Sequence, residues 1–423
     1  MNSHPDGGWS LRRRSRPKLA SVGILTLVVA FGADVTRAQT AEPIKIGGMC
    51  DRTGSTRVIG IELCPGVADY IALINRKGGL LGHKLEYTEI DHSYVVPRAV
   101  EAYQQLKRDG AVTFFTYGVP TLQGLAQYYM RDKLPPFNSG TGRGEYIDGT
   151  VWPYIFPGTA QYWSQAGAVM KYLKDSGAKK GTKIAYLYLD SPAGREGIAM
   201  VEVVAASEGY ELRKYAVQPP GLEMEPHVTA IVRDFKADWV ITSLFGRPPA
   251  VSIREFRKAG FPLNHVISFV YGAGDPDVEE AGWDAAQGYL GVQYASVGRD
   301  FPVIQEILKM YRDGGKEAPK YVGGAYYNRG VLTGAIILEG IRLAIQNHGL
   351  PLTGDNVRRG YESISKLDLQ GLGPPLHITP QDHEGGGYLR IYQVKGSAWV
   401  PVTDWVRGYH DEVMALVKKA NAK

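Results

Sequence analysis

The chain alternates short strand-like runs with longer runs of helical period, and it does so in two successive series. In the first, "IKIGGM" is followed by "GVADYIALINRKGG", "HKLEYTEID" by "PRAVEAYQQLKRDG", and "VTFFTYG" by "LQGLAQYYMRDK", before "PPFNSG" and a loop. In the second, "YWSQAGAVMKYLKDSG", "GREGIAMVEVVAASEG", "VTAIVRDFKA" and "AVSIREFRKAG" precede "TKIAYLYLD", "ELRKYAV", "DWVITSLFG" and "HVISFVYG". Strands separated by helices pair in parallel, because each crossover returns the chain to the same edge with the helix packed on a face. Two series therefore predict two doubly wound α/β lobes. A chain of 423 residues, 44% of them hydrophobic, has enough apolar material for two cores. A long helical segment, "YNRGVLTGAIILEGIRLAIQNHG", follows, then a hairpin in "YLRIYQVKGSAWVPV" with Lys395-Gly396 at its turn, then an amphipathic C-terminal helix.

Residues 1–38 stand outside this pattern. A basic stretch, "RRRSRPK", precedes the apolar "VGILTLVVAFGADV" and then small Thr36 and Ala38, the order of an export signal removed by cleavage. The paired arginines leave both the general and the twin-arginine routes open. No cysteine follows the apolar core, so a lipid anchor is not expected, and no later stretch is read as long and apolar enough to span a membrane. The whole chain carries +5, but the leader holds six basic and two acidic residues, so its removal takes away four charges and leaves +1. A nearly neutral mature chain lacks the basic face that nucleic acid or an anionic membrane requires. Export also places Cys50 and Cys64, the two cysteines, in an oxidising compartment, where they form either a bridge or a pair of buried thiols. Neither C-x-x-C nor HExxH spacing occurs, so no metal and no cofactor is expected.

The run from "IKIGGMCDRTGSTRVIG" through "GVADYIALINRKGGLLGHKLEYTEID" resembles the opening of the periplasmic leucine/isoleucine/valine-binding family, the receptors of branched-chain amino acid ABC importers. "LPPFNSGTG", "LDSPAGREG", "FRKAGF" and "TPQDHEGGG" resemble later family segments, so the likeness covers essentially the whole mature chain. It implies two Rossmann-like lobes of the type I periplasmic binding fold joined by three hinge crossings, near Phe156 to Thr159, Leu290 to Tyr294 and Pro375 to Thr379. The lobes would be 39–157 with 294–377 and 158–293 with 378–405, followed by a terminal helix at 406–423. The implied partners are a small solute and an inner-membrane ABC permease with its ATPase subunits, and the protein is expected to be a periplasmic monomer.

Open α/β sheets bind ligands beyond the carboxyl ends of their strands, so two facing lobes place two sets of loops on one cleft. In the first lobe the resemblance points to Ile59, Thr121, Ser139, Gly140 and Thr141, whose hydroxyls and close backbone suit polar contacts. Each hydroxyl is equally suited to a helix cap or turn. In the second lobe the family's acidic partner for a ligand ammonium falls on Tyr271. The position after "LFG" becomes Arg247, a residue that recognises carboxylates. Tyr117, Trp163 and Tyr271 are candidate aromatic walls, though aromatics in such places more often belong to the core. Asp190 or Asp275 would have to balance an ammonium, since an unpaired buried charge is costly. The expected solute is therefore a small carboxylate, branched or aromatic, rather than strictly leucine.

Catalysis is not expected: there is no G-x-S-x-G elbow, "GTGRG" lacks the end of a phosphate loop, and "GGGYLR" more simply makes a turn. Two further readings stand beside import: a sensing module that signals to a membrane receptor, and a receptor for an amide or urea-type solute.

Overall fold

The computed structural model describes residues 42–422. The export-leader reading lies outside the described residues. Four parallel strands, β1 (Ile44–Cys50), β2 (Leu85–Asp91), β3 (Thr113–Thr116) and β4 (Pro136–Asn138), form one sheet in the order β2-β1-β3-β4. They alternate with α1 (Arg57–Arg76), α2 (Val96–Arg108) and α3 (Val119–Asp132).

The chain then enters a second sheet through α4 (Tyr162–Asp175). There β5 (Lys183–Leu189), α5 (Pro192–Arg195), α6 (Ile198–Glu208), β6 (Glu211–Val217), α7 (Glu225–Thr229), β7 (Trp239–Ser243), α8 (Pro248–Lys258), β8 (Val266–Ser268), α9 (Asp275–Ala281) and β9 (Leu290–Gln293) follow in turn. It returns to the first sheet with α10 (Pro302–Asp313), α11 (Ala325–His348) and α12 (Gly354–Glu362). The hairpin of β10 (Arg390–Lys395) and β11 (Ala398–Pro401) then adds antiparallel to β9, and α13 (His410–Asn421) ends the chain. The second sheet thus has seven strands in the order β11-β10-β9-β8-β7-β5-β6.

Register aligns the strand ends. Cys50 pairs with Asp91 and Met49 with Thr116, so the loops after β1, β2 and β3 leave one edge together. Leu189 pairs with Val217, Tyr188 with Ser243 and Thr242 with Ser268, which does the same for the second sheet.

One expectation needs correction: α1 is 20 residues long and apolar enough by composition to cross a membrane. Its apolar residues are instead spaced for a soluble core. Ile59, Leu63, Val67 and Ile71 recur every fourth residue and are buried, each contributing on the order of 2 kcal/mol. The partner is α11, and at Gly66 and Gly330 the two backbones meet so closely that a Cβ on either would overlap the other helix. A second departure is the helix expected over "GREGIAMVEVVAASEG", which is broken between α5 and α6. The ring of Phe269 and the hydroxyl of Tyr186 occupy the space a side chain at Gly197 would need.

Candidate ligand cleft

The loop after β1 is built on a wholly buried Asp51. Its Oδ1 accepts from Gly54 N at 2.5 Å, and its Oδ2 accepts from Thr56 N at 2.8 Å and Thr56 Oγ1 at 2.7 Å. A carboxylate holding three donors fixes a loop more firmly than neutral turn contacts do. Asp91 repeats the device, accepting from Arg52 N, Thr53 Oγ1 and Ser93 N. Cys50 and Cys64 form a disulfide with Cα atoms 6.5 Å apart, tying the end of β1 to α1.

After β2 the chain turns through Ser93 and Tyr94, both left-handed with φ of 52° and 60°. The Tyr94 N–H donates to His92 Nδ1 at 2.9 Å, and burial holds the His92 imidazole below its ordinary pKa, so the neutral ring that accepts this bond is favoured. Tyr94 and Tyr117 then meet with ring centroids 6.0 Å apart. Gly118 precedes α3 with φ of 97°, and a Cβ there would strike the Tyr94 ring.

These first-lobe loops face the second sheet's loops across a chamber of about 330 Å³. One wall is Ser55, Thr56, Tyr94 and Pro120. The other is Leu189, Ser191, Ala193, Pro219, Pro220, Leu222, Phe245, Arg247 and Pro248. Behind it the cleft narrows between Ile59, Tyr117, Val119, Thr141, Tyr162 and Tyr271. Arg247 is the sole charged residue among these, its side chain 69% exposed and its Nε 3.6 Å from Glu280.

The helix starts at this edge carry proline: Pro120 in the first turn of α3, Pro192 opening α5, Pro248 and Pro249 opening α8. Each removes an N–H that would otherwise point toward the cleft. Helix N-termini, which in other open α/β sheets favour anions, therefore offer fewer donors at this edge.

The structure sorts the expected residues. Ile59, Tyr117, Thr141 and Tyr271 line the narrow end and Arg247 the chamber. Thr141 Oγ1 is already committed to Asn138 Oδ1 at 2.7 Å. Ser139 is buried behind the wall: its hydroxyl lies 2.7 Å from Tyr271 Oη, and its carbonyl accepts from Tyr271 Oη at 2.5 Å and Tyr294 Oη at 2.7 Å. Gly140, with φ of 76°, lets the chain pass Tyr294 and Thr159.

Thr121, Trp163 and Asp190 lie off the chamber walls. Thr121 Oγ1 is buried one turn into α3 without a partner. The Trp163 ring covers Gly144 and its Nε1 donates to Glu196 O at 2.9 Å. Asp190 accepts from Arg195 Nε at 2.8 Å and Gln218 Nε2 at 3.0 Å. Asp275 accepts from Ala325 N at 2.6 Å, at the start of α11. Neither aspartate is among the residues lining the cleft.

Sequence reasoning missed Tyr94, Tyr162, Phe245 and the prolines. "DHSYVVP" and "VQPPG" do follow strand ends, and that placement was the available signal.

Gln123 of α3 donates to Glu196 Oε1, beyond α5, at 3.0 Å, so this bond joins the two sides of the cleft. Burial, and then the like charge of Glu145, push the Glu196 carboxyl up to about 8.

A family model described as periplasmic binding protein matches residues 43–398. A structure described as an ABC transporter permease from the Pseudomonas fluorescens group is 30% identical, with 90% of this chain and 96% of that one covered at a TM-score of 0.82. A branched-chain amino acid ABC transporter from Thermus thermophilus with bound valine is 21% identical, covering 90% and 99% at 0.77. A fatty acid ABC transporter substrate-binding protein from Thermomonospora curvata is 19% identical, covering 88% and 94% at 0.75. No curated protein matches the chain.

Proposed function

Because the chain belongs to the periplasmic binding protein family, we propose that it is the solute receptor of an ABC importer and that its cleft closes on a small, largely apolar or aromatic organic acid rather than an α-amino acid. One observation carries this reading: among the described residues no acidic side chain lines the cleft, whose walls are mainly aromatic, aliphatic and proline with the neutral hydroxyls of Ser55, Thr56, Thr141 and Ser191 between them. A buried ammonium would have no counter-charge there, and that is expensive. Arg247 at the rim suits a carboxylate. A chamber of about 330 Å³ equals the liquid volume of roughly ten water molecules at about 30 Å³ each, the scale of a small organic acid.

The work is a population shift. Contacts made to both walls at once favour the closed form by the guest's differential affinity for it, and the closed face is what the permease would recognise. Calorimetric titration with leucine, isoleucine, valine, isovalerate and benzoate tests the assignment. Micromolar or tighter binding confined to the simple acids is expected. Nanomolar leucine binding would overturn it.

A further inference from the structure

Arg329 is the largest wholly buried side chain and belongs to no part of the cleft described so far. It projects from α11 onto β9 and the segment after β8. Nη1 donates to Val270 O at 2.6 Å, Nη2 to Gln293 Oε1 and, at 3.4 Å, to Val292 O, while Nε has no partner. All these acceptors are neutral. The guanidinium lies over the rings of Tyr326, Tyr294 and Tyr271, at 5.1, 5.3 and 5.7 Å from their centroids.

Tyr271 is the link to the cleft: it lines the narrow end and meets Tyr117 edge-on at 6.2 Å. Cation, ring and cleft therefore stand in series. The acids nearest this cage are Asp277, whose Oδ2 accepts from Tyr326 Oη and Gly274 N, and Asp275, held at Ala325 N. Glu62, on α1, faces the same two aspartates. Burial raises all three carboxyls, Asp277 to about 7 and Glu62 to about 8, so these two are not fully ionised at neutral pH and offset the guanidinium only in part. A buried cation without an ionised partner in hydrogen-bond contact is costly, and an anion placed one ring away recovers some of that cost.

We propose that Arg329 is a specificity-determining residue, acting through Tyr271 from behind the cleft wall, that makes the site prefer the anionic member of an acid–amide pair. The inference rests on the reading of the cleft as an organic-acid site.

The test is titration of the full mature chain at pH 7 with two matched pairs, benzoate with benzamide and isovalerate with isovaleramide. The acid-to-amide affinity ratio should fall about tenfold in Arg329→Gln, the scale of a Coulomb interaction across roughly 10 Å at an effective dielectric of about 20. Arg329→Lys keeps the charge and should keep the ratio whatever happens to absolute affinity. Asp277→Asn, a milder change that removes opposing negative charge, should raise the ratio severalfold and gives an independent reading if Arg329→Gln does not fold. A ratio unmoved by both Arg329→Gln and Asp277→Asn overturns the proposal. If the preference for acids vanishes only in Arg247→Ala, Arg329 is excluded while the organic-acid cleft stands. If the wild type takes leucine and none of the acids, the cleft reading fails and this inference with it.

Discussion

The two walls of the cleft are made by different means. The first-lobe wall is tied: Asp51 and Asp91 each hold three donors, a disulfide closes the base of the loop, and Tyr94, His92 and Tyr117 pack against one another. The second-lobe wall is tied more lightly, by Asp190 accepting from Arg195 and Gln218 and by Ser191 capping α5. Its loops open helices with proline, its surfaces are Leu189, Pro219, Pro220, Phe245 and Pro248, and its one charge sits at the rim. A wall fixed by internal bonds has little polar capacity left for discriminating guests, whereas an apolar wall selects by shape. Stability and overall affinity should therefore depend on the first lobe, and selectivity on the second.

The largest effect expected from breaking that division comes from the disulfide. Cys50 and Cys64 are 14 residues apart, a loop whose closure stabilises by about 3 kcal/mol on the chain-entropy account. The Cys50→Ser/Cys64→Ser double variant should lose that much in urea unfolding. Its loss of affinity should be the same for every guest. Next comes Asp51→Ala, which leaves three donors without their acceptor and should cost about 2 kcal/mol. If either change shifted the ratio between two guests, the first wall would be selective after all.

The contrast also explains what could be read from the sequence. The alternating runs specify both sheets, because periods of two and about 3.6 are written directly in residue order. The loop after β1 lines the chamber at Ser55 and Thr56, at the strand end where open α/β sheets place their ligand loops. The Ser139 environment is not written locally, because its partner, Tyr271, lies 132 positions away. The same holds for Trp163 and for one partner of Asp190, since Glu196 O and Gln218 are brought to them by tertiary packing, whereas Arg195, the other partner of Asp190, is five residues away. α1 is a separate case: its length and composition do fit a membrane span, contrary to the reading from sequence, and its close packing on α11 accounts for its apolar residues.

Where the walls meet, the expected effect depends on pH. Glu196 is raised to about 8 from 4.5 by burial and by Glu145, and Gln123 bonds it across the cleft. The folded protein thus holds this proton more tightly than the unfolded chain. Its contribution to stability is whole below pH 4.5 and is lost as pH rises through about 8. Melting temperatures should decline over that window in the wild type. They should decline less in Glu196→Gln, which keeps the acceptor for Gln123 without the charge; identical slopes would show that Glu196 titrates normally.

The smallest effect belongs to Arg247, at the exposed rim of the second wall. Its side chain is 69% exposed and already shares Glu280 at 3.6 Å. Water and salt screen such a charge, so its interaction with a carboxylate guest should be worth no more than about 1 kcal/mol. Arg247→Ala should weaken benzoate binding about threefold at 10 mM salt and hardly at all at 1 M, where the screening length falls to about 3 Å. Benzamide binding should be unchanged at both. A larger, salt-resistant loss would mean that Arg247 swings inward when the guest binds. The division between walls would then have to be redrawn, with the second lobe supplying the anchoring charge as well as the shape.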